Sequence, residues 1–176
     1  MFEIPITLQV DTAALKQQFY ILSRKFHPDF YTQENEAEQN QALDKSSLLN
    51  KAYKTFQNRE ETIKYVLQLK GLQEEEEKYQ LSPTFLMEMM ELNENLAEAK
   101  LSGNISAIDE CKQTINSIEE QIYMPVKNIV EGYIDGKTTQ EELLKVKEYY
   151  FKKKYLQRIL DTTLWSLNIA AQFERT

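Results

Sequence analysis

One histidine, one cysteine and twenty-eight carboxylates are the groups in this sequence with chemistry to offer, and their spacing decides what they can do. A thiol–imidazole nucleophile would need Cys111 and His27 to meet. Cys111 instead sits on an apolar helical stripe, where a small buried thiol is the usual occupant. There is no glycine-rich phosphate loop, no HExxH, no Glu-x-x-His and no zinc-type cysteine pair. The sequence therefore predicts no catalytic site, no metal and no cofactor.

What remains is a contact. His27 stands in the tripeptide His27-Pro28-Asp29, where a helical pattern stops. Leu15, Phe19, Leu22 and Phe26 recur at helical spacing. Pro28 lacks an N–H and biases His27 away from helical dihedrals. Asp29 is then presented on a short turn after a rigid rod, a common way to build a contact point. The outer face of that rod carries Lys16, Tyr20 and Arg24, with Lys25 beside its last turn.

The elements that must hold these groups are helices. Four glycines and four prolines in 176 residues leave long uninterrupted stretches, and alternating Val-rich runs are few. Asp11 is a good N-cap for a helix from about Thr12 to Phe26. A polar loop from Pro28 to Glu36 precedes a second helix, about Ala37 to Phe56. A third, about Glu60 to Leu69, ends at Lys70-Gly71, which fits a glycine C-cap. Glu74 to Glu77 form a like-charge run, read as a solvated linker.

Ser82-Pro83 then serves as N-cap and first residue of a helix to about Leu101. Ile108, Cys111, Ile115, Ile118, Ile122 and Ile129 mark the next helix, which Pro125 should kink. A last helix places Tyr149, Leu156, Leu160 and Leu167 on one stripe. The expected organisation is all-α: residues 1–72, an acidic linker 73–81, and a three-helix bundle over 82–176.

The helix that starts at Pro83 has two apolar faces. At roughly 100° per residue, Phe85, Met89, Leu92, Leu96 and Ala99 form the core stripe. Leu86, Met87 and Met90 point elsewhere, and Glu91, Glu94 and Glu98 continue that outer side. Leucine and methionine bordered by carboxylates have the composition of a binding surface. Phe151 falls roughly 220° from Leu156 on the last helix, also off the core stripe. The competing reading is that Leu86 and Met90 widen the core.

Charge narrows the class of partner. Residues 1–72 hold nine basic and nine acidic side chains, while residues 73–176 carry the whole net charge of −7. That excess argues against nucleic acid and suits a basic partner surface. A single cysteine fits a reducing compartment. Without a signal peptide or long apolar span, a cytoplasmic location with no membrane association is expected.

The first half resembles the J-domain of the DnaJ class. The resemblance rests on the stripe from Leu15 to Phe26, on Arg24-Lys25-Phe26 running into His27-Pro28-Asp29, on Leu49-Asn50-Lys51-Ala52-Tyr53, and on Tyr65-Val66-Leu67. In the second half, Thr84-Phe85-Leu86-Met87-Glu88 followed by Glu91-Leu92 and Glu94 resembles the C-terminal bundle of the HscB family of iron–sulfur co-chaperones.

The resemblance implies an N-terminal J-domain, an antiparallel helical hairpin with an HPD loop, and a C-terminal three-helix bundle. It implies a J-domain that binds an HscA-type chaperone of the DnaK family and stimulates its ATPase. His27, Pro28 and Asp29 would be the trigger, with Arg24 and Lys25 as charged contacts. The bundle would bind the scaffold protein IscU through Leu86, Met87, Met90, Glu91, Glu94, Glu98 and Phe151. A J-domain protein with another client is the alternative.

Three departures from the family stand out. The chain opens Met1-Phe2-Glu3-Ile4-Pro5, so most of the short first helix is expected to be missing. Thr62-Ile63 stands where the family usually has Arg-Ala. The cysteine pairs of some eukaryotic relatives are absent, so no zinc module is expected and a bacterial type is favoured.

Overall fold

The computed structural model describes residue 2 and residues 4–173, with side chains as far as residue 161. Among the described residues the regular structure is entirely helical. Helix α1 spans Thr12–Lys25, α2 Glu36–Gln57, α3 Arg59–Leu69, α4 Pro83–Leu101, α5 Ile105–Tyr123, α6 Lys127–Glu131 and α7 Gln140–Phe173. Single 3₁₀ turns lie at Pro28–Tyr31 and Met124–Val126. The second is the expected effect of Pro125, which ends the α-helical ladder there and resets it in α6. No described helix is long and apolar enough to cross a membrane.

Local chemistry accounts for the ends. The Asp11 carboxylate accepts the N–H groups of Ala13 and Ala14 at 2.9 and 3.1 Å, and Ser82 Oγ accepts that of Phe85 at 3.3 Å. Gly71 and Gly103 close α3 and α4 at φ 67° and 63°. In each, the following N–H reaches back to the helix, Leu72 to the Leu67 carbonyl and Asn104 to that of Ala99, both at 2.9 Å. That left-handed closure favours glycine and frees the chain to turn sharply.

The chain divides into two compact units. One comprises Met1–Glu74 with Val130–Thr139, and the other Glu75–Ile129 with Gln140–Thr176. In the first, α1 and α2 pack as a hairpin on Leu15 and Leu49, both essentially fully buried. Phe19 stacks on Tyr53 at 3.9 Å, while Lys45 lies over the Phe26 ring at 5.5 Å, so the two chain directions oppose. No helix precedes α1 among the described residues. Phe2 joins the hairpin core and Ile4 and Val10 pack against it from irregular chain instead. Thr62 is buried, and its hydroxyl donates to the Asn58 carbonyl at 2.8 Å, so it occupies that interior site without an unpaired group.

The segment 130–139, the turn before the last helix, groups with the first unit. The Lys70 ammonium pairs with the Asp135 carboxylate at 2.5 Å, and the Tyr133 hydroxyl donates to the same carboxylate at 2.8 Å. The second unit is the bundle of α4, α5 and α7 around Phe85, Met89, Leu92, Leu96, Ile115, Ile118 and Leu156. Tyr149 is buried and Leu160 packs on this core, as the stripe on α7 requires; the Leu167 side chain lies outside the described residues.

Candidate functional site

The tripeptide loop is built in layers. Phe26 caps α1, His27 adopts extended dihedrals ahead of Pro28, and Pro28–Tyr31 make one 3₁₀ turn. The sequence reading treats this stretch as irregular. The turn forms because the Phe30 N–H donates to the His27 carbonyl at 3.1 Å and the Tyr31 hydroxyl donates to the Lys25 carbonyl at 2.9 Å. Gln39 on α2 donates to the Glu34 carbonyl at 2.9 Å, which ties the far end of the loop to the hairpin.

Within that frame, His27 Nδ1 accepts the Asp29 N–H at 3.4 Å and lies 3.6 Å from the Asp29 carboxylate. Both contacts use the same nitrogen. In the neutral imidazole the lone pair takes the N–H, leaving the carboxylate to face water. Asp29 is 82% exposed and can meet a cation from outside. Arg24 and Lys25 are exposed and Pro28 is half-buried, so the four charged or titratable groups of this predicted site are all presented.

The second predicted site lies on the bundle. Core and outer faces of α4 separate as the helical period demands: Met89 is fully buried, whereas Met87 and Met90 are 70% and 58% exposed. Glu91, Glu94 and Glu98 are exposed and Leu86 is half-buried. Glu88, Glu91, Glu98 and Glu110 rim a groove of about 580 Å³ between α4 and α5, floored by Leu92 and Cys111. Cys111 is 8% exposed and belongs to the bundle core.

Phe151 differs from the open position that helix geometry suggests. It is half-buried, stacked face to face on Tyr79 at 4.5 Å and met edge-on by Tyr150 at 5.2 Å. Tyr79 belongs to the acidic stretch read as a solvated linker. Two residues earlier, Glu77 pairs with Lys147 on α7 at 2.6 Å, and the Lys147 ammonium lies 5.7 Å from the Tyr79 ring centre. Burial, followed by the charges of Glu148 and Glu77, raises the pKa of the Tyr79 hydroxyl. Residues 77–79 thus form a strap on α7. Only the aromatic character of Tyr79 and the mixed Glu77-Lys78-Tyr79 composition could have signalled it.

Residues 81–163 match the family model described as the HSCB C-terminal oligomerisation domain. A co-chaperone protein HscB homolog from Neisseria meningitidis is 30% identical over 128 residues, spanning 72% of this chain and 77% of that protein. The chain belongs to the HscB co-chaperone family. The human iron–sulfur cluster co-chaperone protein HscB is 30% identical over 154 residues, 87% of this chain and 61% of the relative. The crystal structure of human HscB aligns with a TM-score of 0.78 at 28% identity, covering 94% of this chain and 79% of that one. HscB from Vibrio cholerae, at 23% identity, shares the fold with a TM-score of 0.74 over 95% and 94% of the two chains. HscB co-chaperones are non-catalytic.

Proposed function

We propose that this HscB-family chain serves iron–sulfur cluster assembly as an adaptor, carrying an IscU-type scaffold on its bundle to an HscA-type chaperone of the DnaK family. The observation that carries the reading is the Asp29 carboxylate, 82% exposed on a turn that is braced through the Asp29 backbone, the Phe30 N–H and the Tyr31 hydroxyl. A charge held that way reaches a partner's cation without first being ordered, so less binding energy is lost to freezing the loop. Asp29 pairs with the chaperone and favours its hydrolysing, client-clamping state; His27 and Pro28 hold the turn; Arg24 and Lys25 steer.

The bundle supplies the other half. Met87 and Met90 give apolar affinity with adaptable side chains, and Glu91, Glu94 and Glu98 attract a basic scaffold surface. Leu86 and Phe151, both half-buried, would add to the apolar contact. Holding client and chaperone on one chain raises the effective concentration of each for the other. Asp29→Asn should abolish stimulated ATP turnover by the chaperone while leaving scaffold affinity unchanged. Full stimulation by that variant would remove the trigger assignment.

A further inference from the structure

Two consecutive aromatics follow Asp29, and the fold treats them in opposite ways. Tyr31 is half-buried and its hydroxyl braces the turn against the Lys25 carbonyl. Phe30 is 71% exposed, the most exposed aromatic side chain among the described residues. The hydrogen bonds that hold the turn use the Phe30 backbone but not its ring. The ring meets the His27 imidazole edge-on at 5.9 Å, which holds it in place beside the loop without covering it.

Scattered exposed apolar residues are normal, and Leu101 and Ile105, at the α4–α5 connection, are of that kind. Phe30 differs in its setting. It adjoins an exposed carboxylate and sits on a hydrogen-bonded turn rather than a free loop tip, a turn that the Tyr31 hydroxyl ties to the Lys25 carbonyl. An aromatic next to a charged group is the composition of an interface anchor: the ring fills an apolar recess and excludes water from the ion pair beside it. An ion pair shielded in that way is strengthened and less screened by salt.

We infer that Phe30 is a second anchor for the chaperone, entering an apolar recess next to the cation that meets Asp29. The inference rests on the reading of this loop as the chaperone trigger and adds the apolar half of its contact. Asp29 sets whether hydrolysis is stimulated; Phe30 sets how tightly the stimulating complex holds.

The test titrates the full-length chain into an HscA-type chaperone and follows ATP turnover at two salt concentrations. Phe30→Ala should raise the half-saturating concentration about tenfold, with the plateau rate retained, and make that concentration more salt-dependent. Phe30→Leu, which keeps apolar bulk, should recover most of the loss. Superposed Phe30→Ala and parent curves overturn the inference while leaving the trigger reading intact. A lowered plateau with unchanged half-saturation also overturns it, because Phe30 would then act through the trigger rather than as an anchor. Absence of stimulation by the parent chain overturns the trigger reading, and the inference with it.

Discussion

Met89 and Met90 are neighbours in sequence with opposite roles, and the difference can be measured. Met89 is fully buried, so Met89→Ala should cost about 2–4 kcal/mol of stability through lost transfer and a residual cavity. Met87 and Met90 lie mostly in water, so Met87→Ala with Met90→Ala should leave the thermal midpoint nearly unchanged. The same double variant should weaken scaffold binding by roughly 30- to 900-fold if each methionine contributes about 1–2 kcal/mol as an interface anchor. Calorimetric titration alongside thermal melts separates the two effects; unaltered binding would make Met87 and Met90 surface filler. Helical period pointed to this partition but left open that Met90 widens the core, and its exposure on the regular helix α4 removes that alternative. The cover over Phe151 was not legible. Stacking by Tyr79 depends on where the preceding strap crosses α7, and no local repeat encodes that crossing.

Element boundaries follow from capping chemistry, so Asp11, Ser82-Pro83 and Gly71 mark them in the sequence nearly to the residue. The grouping of segment 130–139 with the first unit is a longer-range matter. One contact within that grouping is Lys70 meeting Asp135, a pair sixty-five positions apart that periodicity cannot anticipate. The Lys70 ammonium, and then the Tyr133 hydroxyl, hold the Asp135 carboxyl below its ordinary range. A lowered carboxyl contributes stability at neutral pH and loses it as pH falls through and below the carboxylate range. Burial, and then the hydrogen bond to Asp135, push the Tyr133 hydroxyl up to about 12. A raised phenol has the opposite window: its contribution is present below about pH 10 and fades as pH rises toward 12. The denaturation midpoint of the parent chain should therefore exceed that of Asp135→Asn by a constant margin from about pH 5 to 9. That margin should shrink in acid. A margin independent of pH down to about 3 would show that the Asp135 carboxylate does not anchor the segment.

At the scale of the whole molecule, charge and core are distributed by unit. Each unit has its own buried cluster, one around Leu15 and Leu49 and one around Met89, Leu96 and Leu156. The net charge of −7 falls entirely after residue 72, in the half that carries the glutamates of α4. The all-helical class and the bundle were readable because breakers are few and apolar stripes are long. Segment 130–139 lies in the stretch expected to form the bundle, yet it groups with the first unit, and the Lys70–Asp135 pair is among the long-range contacts there. The proposed coupling of client to chaperone through two separate surfaces can be read from chaperone ATP turnover at limiting chain concentration, with and without an IscU-type scaffold. The parent chain and scaffold together should stimulate more than the sum of each alone. Met87→Ala with Met90→Ala should keep the chain's own stimulation but lose that gain, and Asp29→Asn should lose both. A gain that survives the double methionine variant, or strictly additive stimulation by the parent chain, would contradict the account.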